Sequence, residues 1–157
     1  MVAMVAAALN GTDQTTILIL PTVALRGDMI VRLARVGIRP HIWVPGSAKL
    51  GPLIIVSAEA ACTEGFMTYA LRLGDGQKLA QIIIDECQLT VTASSYRQSM
   101  SNLAWYVRQV RTQTIWLTAT LPPVMQEHFI EHNKLVRPHV VLLCSKVSSS
   151  CQTIHLC

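Results

Sequence analysis

No run of apolar residues in this sequence reaches the ~18 that a membrane-spanning helix needs, although 51% of its 157 residues are hydrophobic. The opening "MVAMVAAALN" is apolar but has no basic leader and no small-residue cleavage site, so it is read as part of a helix and not as a signal peptide. Charge is scarce, at 14%, which marks a domain with much buried surface. Cysteine is limited to five scattered residues with no C-x-x-C pair. That pattern suits a reducing, intracellular compartment better than a disulfide scaffold. Trp43, Trp105 and Trp116 are too few and too far apart for a base-stacking platform, so core packing is their default role. There is no internal repeat and no low-complexity tract. The net charge of +4 permits an anionic partner such as nucleic acid without requiring one.

What is present is an alternation. "TTILIL" (Thr15 to Leu20), "LIIVS" (Leu53 to Ser57), "QIIID" (Gln81 to Asp85), "TIWLT" (Thr114 to Thr118) and "VVLL" (Val140 to Leu143) are unbroken apolar, β-branched runs. Such runs are strands buried on both faces. "HIWV" before Pro45-Gly46 is a shorter candidate. Between them lie "ALRGDMIVRLARVGI", with Leu25, Met29, Leu33 and Val36 at helical spacing and Gly37 as a stop, then "EAACTEGFMTYALRL" and "SYRQSMSNLAWYVRQV", and a last helix from Pro122-Pro123 to His132. Strands alternating with helices predict an α/β fold, a mainly parallel sheet with helices on both faces. "SKVSSSCQ" is read as a loop or the start of a linker.

In parallel sheets, ligands gather outside the carboxyl ends of the strands. Three strands end there in usable polar residues: Pro21-Thr22, Asp85-Glu86 and Thr118 to Thr120. A carboxylate just past a buried strand can hold Mg²⁺ on nucleotide phosphates, and a second can orient or deprotonate an attacking water. Alternatively, Asp85 caps the following segment and Glu86 is merely solvated.

"ILILPTVALRGDM", then "IIIDECQ", then "IWLTATLPP" about thirty residues later, resembles the first half of a superfamily 2 helicase, with particular similarity to RecQ-like DNA helicases of the telomere-linked type found in fungi. The resemblance spans Thr15 to Val141 and implies a RecA-like P-loop NTPase core, ATP with Mg²⁺ as cofactors, single-stranded or junction DNA as partner and the nucleus as location. It implies that Asp85 binds Mg²⁺ and that Glu86 and Gln88 complete the catalytic group. It makes Thr118, Ala119 and Thr120 the segment that couples hydrolysis to movement. Pro21, Thr22, Arg26, Ser57 and Glu59 are implied to contact nucleic acid, with Tyr96 and Arg97 in the loop that couples DNA to ATP.

The sequence also departs from that family. Gln88 stands where the family has a titrating histidine, and "TVTASSYRQ" is poor in aromatics. No "G-x-x-x-x-G-K-[ST]" occurs, and "GDGQK" (Gly74 to Lys78) precedes a strand where a phosphate loop must follow one. Residues 1–143 are therefore expected to be a partial helicase ATP-binding domain that begins after the phosphate loop. Residues 144–157 are expected to be a linker or the start of a second RecA-like domain that the chain does not contain.

Other clusters read more plainly. Cys144, Cys151, His155 and Cys157 lack zinc-ligand spacing, and His128 and His132 form a solvated i, i+4 pair without the zinc-protease glutamate. Cys87, beside the two carboxylates, is suppressed as a nucleophile. Arg26, Arg32 and Arg35 form either a DNA-facing stripe or a solvated helix face. Three functions stand: a piece of a RecQ-like motor, a degenerate helicase-fold module that binds DNA or a partner without hydrolysis, and an unrelated α/β enzyme with a strand-end carboxylate pair.

Overall fold

The computed structural model describes residues 14–92, 98–136, 138–144 and 151–156. At the centre of its five parallel strands is β1 (Thr15–Leu20), in which every residue is buried. Parallel partners flank it on both sides: β3 (Leu53–Ser57) on one and β4 (Leu79–Ile84) on the other, with Ile17 opposite both Ile54 and Ile82. The two-residue β2 (His41–Ile42) lies outside β3, and β5 (Gln113–Thr118) lies outside β4. These five strands all run parallel. β7 (Cys151–Leu156) pairs antiparallel with β5, and β6 (His139–Cys144) pairs antiparallel with β7, giving the order β2-β3-β1-β4-β5-β7-β6.

The alternation of strand side chains divides the core into two layers. Ile17, Ile19, Ile54, Val56, Ile82, Ile84 and Trp116 point to one face. They pack under α2 (Ala58–Ala61), α3 (Glu64–Asp75), α5 (Gln98–Gln109) and α6 (Gln126–His132). Leu18, Leu20, Leu53, Ile55, Ile83 and Leu117 point to the other face, where Met29 and Leu33 of α1 (Ala24–Arg35) meet them. The α/β architecture, mainly parallel with helices on both faces, is the one expected. A short helix, α4 (Leu89–Thr92), follows the strand-end acids.

Local chemistry moves several boundaries. "EAACTEGFMTYALRL", expected as one helix, is two. Thr63 Oγ1 donates to the Ala60 carbonyl (2.7 Å) and accepts from Phe66 N–H (3.3 Å), so it ends α2 and caps α3. The last helix opens with a 3₁₀ turn, Pro123–Met125, in which Met125 N–H donates to the Pro122 carbonyl (2.9 Å). "HIWV" pairs over only two residues. Cys151–Leu156, within the stretch read as linker, is a strand of the sheet. No helix among the described residues is long and apolar enough to cross a membrane.

Candidate functional site

Because β1, β3, β4 and β5 run parallel, their carboxyl ends share one edge, which brings Pro21, Ser57, Asp85 and Thr118 to the same side of the sheet. The chain past β4 keeps hold of both neighbours. Asp85 N–H donates to the Ile19 carbonyl of β1 (3.0 Å), and Cys87 N–H donates to the Leu117 carbonyl of β5 (2.8 Å). Between them Glu86 takes a left-handed backbone, φ 50°. This turn redirects the chain into α4, where Leu89 N–H donates to the Glu86 carbonyl (3.0 Å) and Thr90 N–H to that of Cys87 (3.0 Å).

A three-residue hydrogen-bonded chain lies across this edge. Thr118 Oγ1 donates to Gln88 Oε1 (2.6 Å), and Gln88 Nε2 donates to Glu86 Oε2 (2.7 Å). Thr118 Oγ1 in turn accepts from Thr120 N–H (3.2 Å). The amide of Gln88 is used at both ends, as an acceptor from the buried Thr118 hydroxyl and as a donor to the carboxylate. Gln88 thus bridges the two strand ends through a side chain that does not titrate. Ala119 and Thr120 are exposed beside it.

Asp85 is only 7% exposed. Burial, and secondarily the neighbouring Glu86 charge, push its carboxyl up from an ordinary 3.8 to about 6. The Cys87 thiol, fully buried, is raised well above its ordinary range by burial and then by Asp85 and Glu86. A thiolate nucleophile is therefore suppressed there, as expected.

The other sequence candidates lie around this centre. Thr22 Oγ1 accepts from Leu25 N–H (3.4 Å) at the start of α1, with Pro21 buried behind it. Ser57 caps α2, accepting from Ala60 N–H (3.3 Å). Glu59 is exposed, and after burial it is the second influence raising the Cys62 thiol to about 11. Arg26 is half-buried, whereas Arg32 is paired with Asp28 at 2.8 Å, so the arginines of α1 are not equivalent. Tyr96 and Arg97 lie outside the described residues, as do the side chains of Cys144, Cys151, His155 and Cys157. Among the described residues, no group of three or more His, Cys, Asp or Glu side chains could hold a metal ion. "GDGQK" ends α3, with Lys78 N–H bonded to the Leu73 carbonyl (2.8 Å). Lys78 then leads into the amino end of β4, the edge opposite Asp85.

No protein-family model matches this chain, and no curated protein matches it.

One contributor had no sequence signal. Asn133, fully buried at the end of α6, donates through Nδ2 to Thr90 Oγ1 (3.0 Å) and to the Phe129 carbonyl (2.9 Å). Thr90 Oγ1 donates onward to the Cys87 carbonyl (2.8 Å). This buried network fastens the turn after Glu86 to α6. Nothing distinguishes Asn133 from an ordinary loop asparagine until α6 and α4 are seen to touch.

Proposed function

We propose that this chain is part of the ATP-hydrolysing motor of a RecQ-like DNA helicase. The observation that carries the reading is the Glu86–Gln88–Thr118 chain at the carboxyl edge of a parallel sheet. In this reading Glu86 orients a water and accepts its proton, and Gln88 fixes that carboxylate through one oxygen. Thr118, on the next strand, senses the state of Glu86 through the same amide. Ala119 and Thr120 carry that state toward whatever moves.

Asp85 fits a Mg²⁺ role. Mg²⁺ is commonly bound through one or two carboxylates together with phosphates and waters, and a buried carboxyl with a raised pKa gains most from a nearby cation. When bound with ATP, Mg²⁺ neutralises charge on the phosphates. In this reading Pro21, Thr22, Arg26, Ser57 and Glu59 face DNA, with Tyr96 and Arg97 completing the contact, and the protein works in the nucleus. A second reading, a helicase-fold module that binds without hydrolysing, is favoured by Gln88 in place of an imidazole.

Phosphate release by the purified chain with Mg-ATP, with and without single-stranded DNA, tests both. The 157 residues alone are expected to release none. Joined to a phosphate-loop segment and a second motor domain, they are expected to show DNA-stimulated release that Glu86→Gln abolishes while nucleotide binding persists. Turnover at the parent rate in Glu86→Gln overturns the assignment of Glu86 as the base. Absence of turnover with intact DNA binding selects the module.

A further inference from the structure

At the amino edge of the sheet, away from the strand-end acids, α3 and the segment leading into β3 enclose a groove of about 630 Å³. That volume lies within the range of small-molecule sites. We propose that this groove binds an organic anion, an acidic group (carboxylate, sulfonate or phosphate) on an apolar body, independently of the strand-end site.

The groove is built before any ligand arrives. Tyr69 O–H donates to the Lys49 carbonyl (2.8 Å) and so ties the loop wall to α3. Beneath, Tyr69 belongs to an aromatic cluster: Trp43 meets Phe66 edge-on at 5.2 Å, and Phe66 lies 6.1 Å from Tyr69. Three of the chain's eight aromatic residues are thus committed to holding this wall. Leu50, Tyr69 and Leu73 supply apolar lining, and Leu50 stays 52% exposed with nothing packed over it.

The charges are divided along the groove. Glu64 lies in the first turn of α3, where a carboxylate complements the helix N-terminus. Arg72, in the last turn of α3, and Lys78, just past its end, line the other part of the groove. Eight positions along an α-helix span roughly 12 Å, too far for Glu64 to neutralise Arg72 by contact. Neither cation has an ion-pair partner among the described residues. An acidic group therefore fits the Arg72/Lys78 end, with its apolar body on Tyr69, Leu73 and Leu50.

The test uses the whole chain and two probes of similar body, 1-anilinonaphthalene-8-sulfonate and the uncharged N-phenyl-1-naphthylamine. Binding is followed by fluorescence and located by amide shifts in the NMR spectrum. The sulfonate is expected to saturate one site, shifting Tyr69 and Leu73, and to bind about tenfold or more tighter than the neutral probe. The double variant Arg72→Glu/Lys78→Glu is expected to weaken it by about tenfold or more. Arg35→Glu on α1, which changes charge elsewhere, is expected to leave it unaltered. Equal binding of the two probes, shifts confined to other surfaces, or indifference to the double variant would each overturn the proposal. Retention of sulfonate binding in Glu86→Gln separates this groove from the strand-end reading.

Discussion

Four non-glycine residues among those described have a left-handed backbone, and they fall into two kinds. Gln77, Arg111 and Lys134 each follow a helix, whereas Glu86 follows a strand. At the helix ends the conformation has a local return. Lys78 N–H reaches the Leu73 carbonyl (2.8 Å) and Gln77 N–H that of Gly74 (3.0 Å). Leu135 and Lys134 repeat the pattern on Ile130 and Glu131, both at 3.0 Å. These are the closing bonds of a helix terminus, and α1 makes the same pair around a glycine, Gly37. Glu86 closes no helix. The cost of a left-handed L-residue, roughly 1–2 kcal/mol, is met there by a bond to a neighbouring strand and by a carboxylate held against Gln88. The return at Glu86 is tertiary, made to neighbouring strands and to Gln88, where at the helix ends it is local.

The largest test of this contrast is chemical. In a polypeptide that supplies the phosphate loop and second motor domain, Glu86→Gln is expected to lower ATP turnover by ~10²–10⁴, the usual worth of a positioned base. Lys134→Gln, at a helix end, should leave the rate unchanged. Steady-state phosphate release distinguishes the two, and equal effects would erase the difference between strand end and helix end.

Next in size is the pH dependence contributed by Asp85. An acid whose folded pKa is raised holds its proton more tightly when folded. Its stabilising contribution is therefore complete below the unfolded value of 3.8 and is lost as pH rises through about 6. That displacement corresponds to roughly 3 kcal/mol. Urea unfolding should find Asp85→Asn more stable than the parent by up to this amount at pH 7.5 and little different at pH 3.5. Added Mg²⁺ should narrow the gap at pH 7.5 by favouring the ionised parent.

Breaking the bridge has a smaller effect. Thr118→Val leaves Gln88 Oε1 without its donor and should cost about 1–2 kcal/mol. A double-mutant cycle with Gln88→Leu should show positive coupling, and additive losses would mean the 2.6 Å contact contributes nothing. The smallest effects separate the two kinds of left-handed residue directly. Gln77→Gly and Lys134→Gly should each stabilise by ~0.5 kcal/mol, as the relieved strain outweighs the extra chain entropy. Glu86→Gly should gain nothing, because it also discards the bond from Gln88.

Much of this was legible in the sequence. The runs around Ile17, Ile54, Ile82 and Trp116 carry their own signal, since an unbroken β-branched stretch fits few environments but a doubly covered sheet. Their shared polarity followed from the intervening helices, and it placed Asp85 and Thr118 at one edge. The left-handed turn at Glu86 was not legible, because a glutamate gives no hint of positive φ. Nor was the strand Cys151–Leu156, whose pairing depends on contacts distant in sequence. Gln88 was legible as a hydrogen-bonding substitute but not as a bridge, since its second partner lies thirty residues away on a neighbouring strand. The groove on α3 had no signature at all, because its cations and apolar lining come from three separated stretches.

The position of β1 has a consequence for how the protein is made. It is the first described strand, yet its neighbours are β3 and β4, so Ile17 waits for Ile54 on one side and Ile82 on the other. At the ~5–20 residues per second of translation, the second partner is polymerised roughly 3–13 s after the first strand. Throughout that interval an emerging chain would present "TTILIL" with one or both hydrogen-bonding flanks bare. The most deeply buried segment of the finished sheet is thus the one longest exposed on the ribosome, where a holding chaperone would find it.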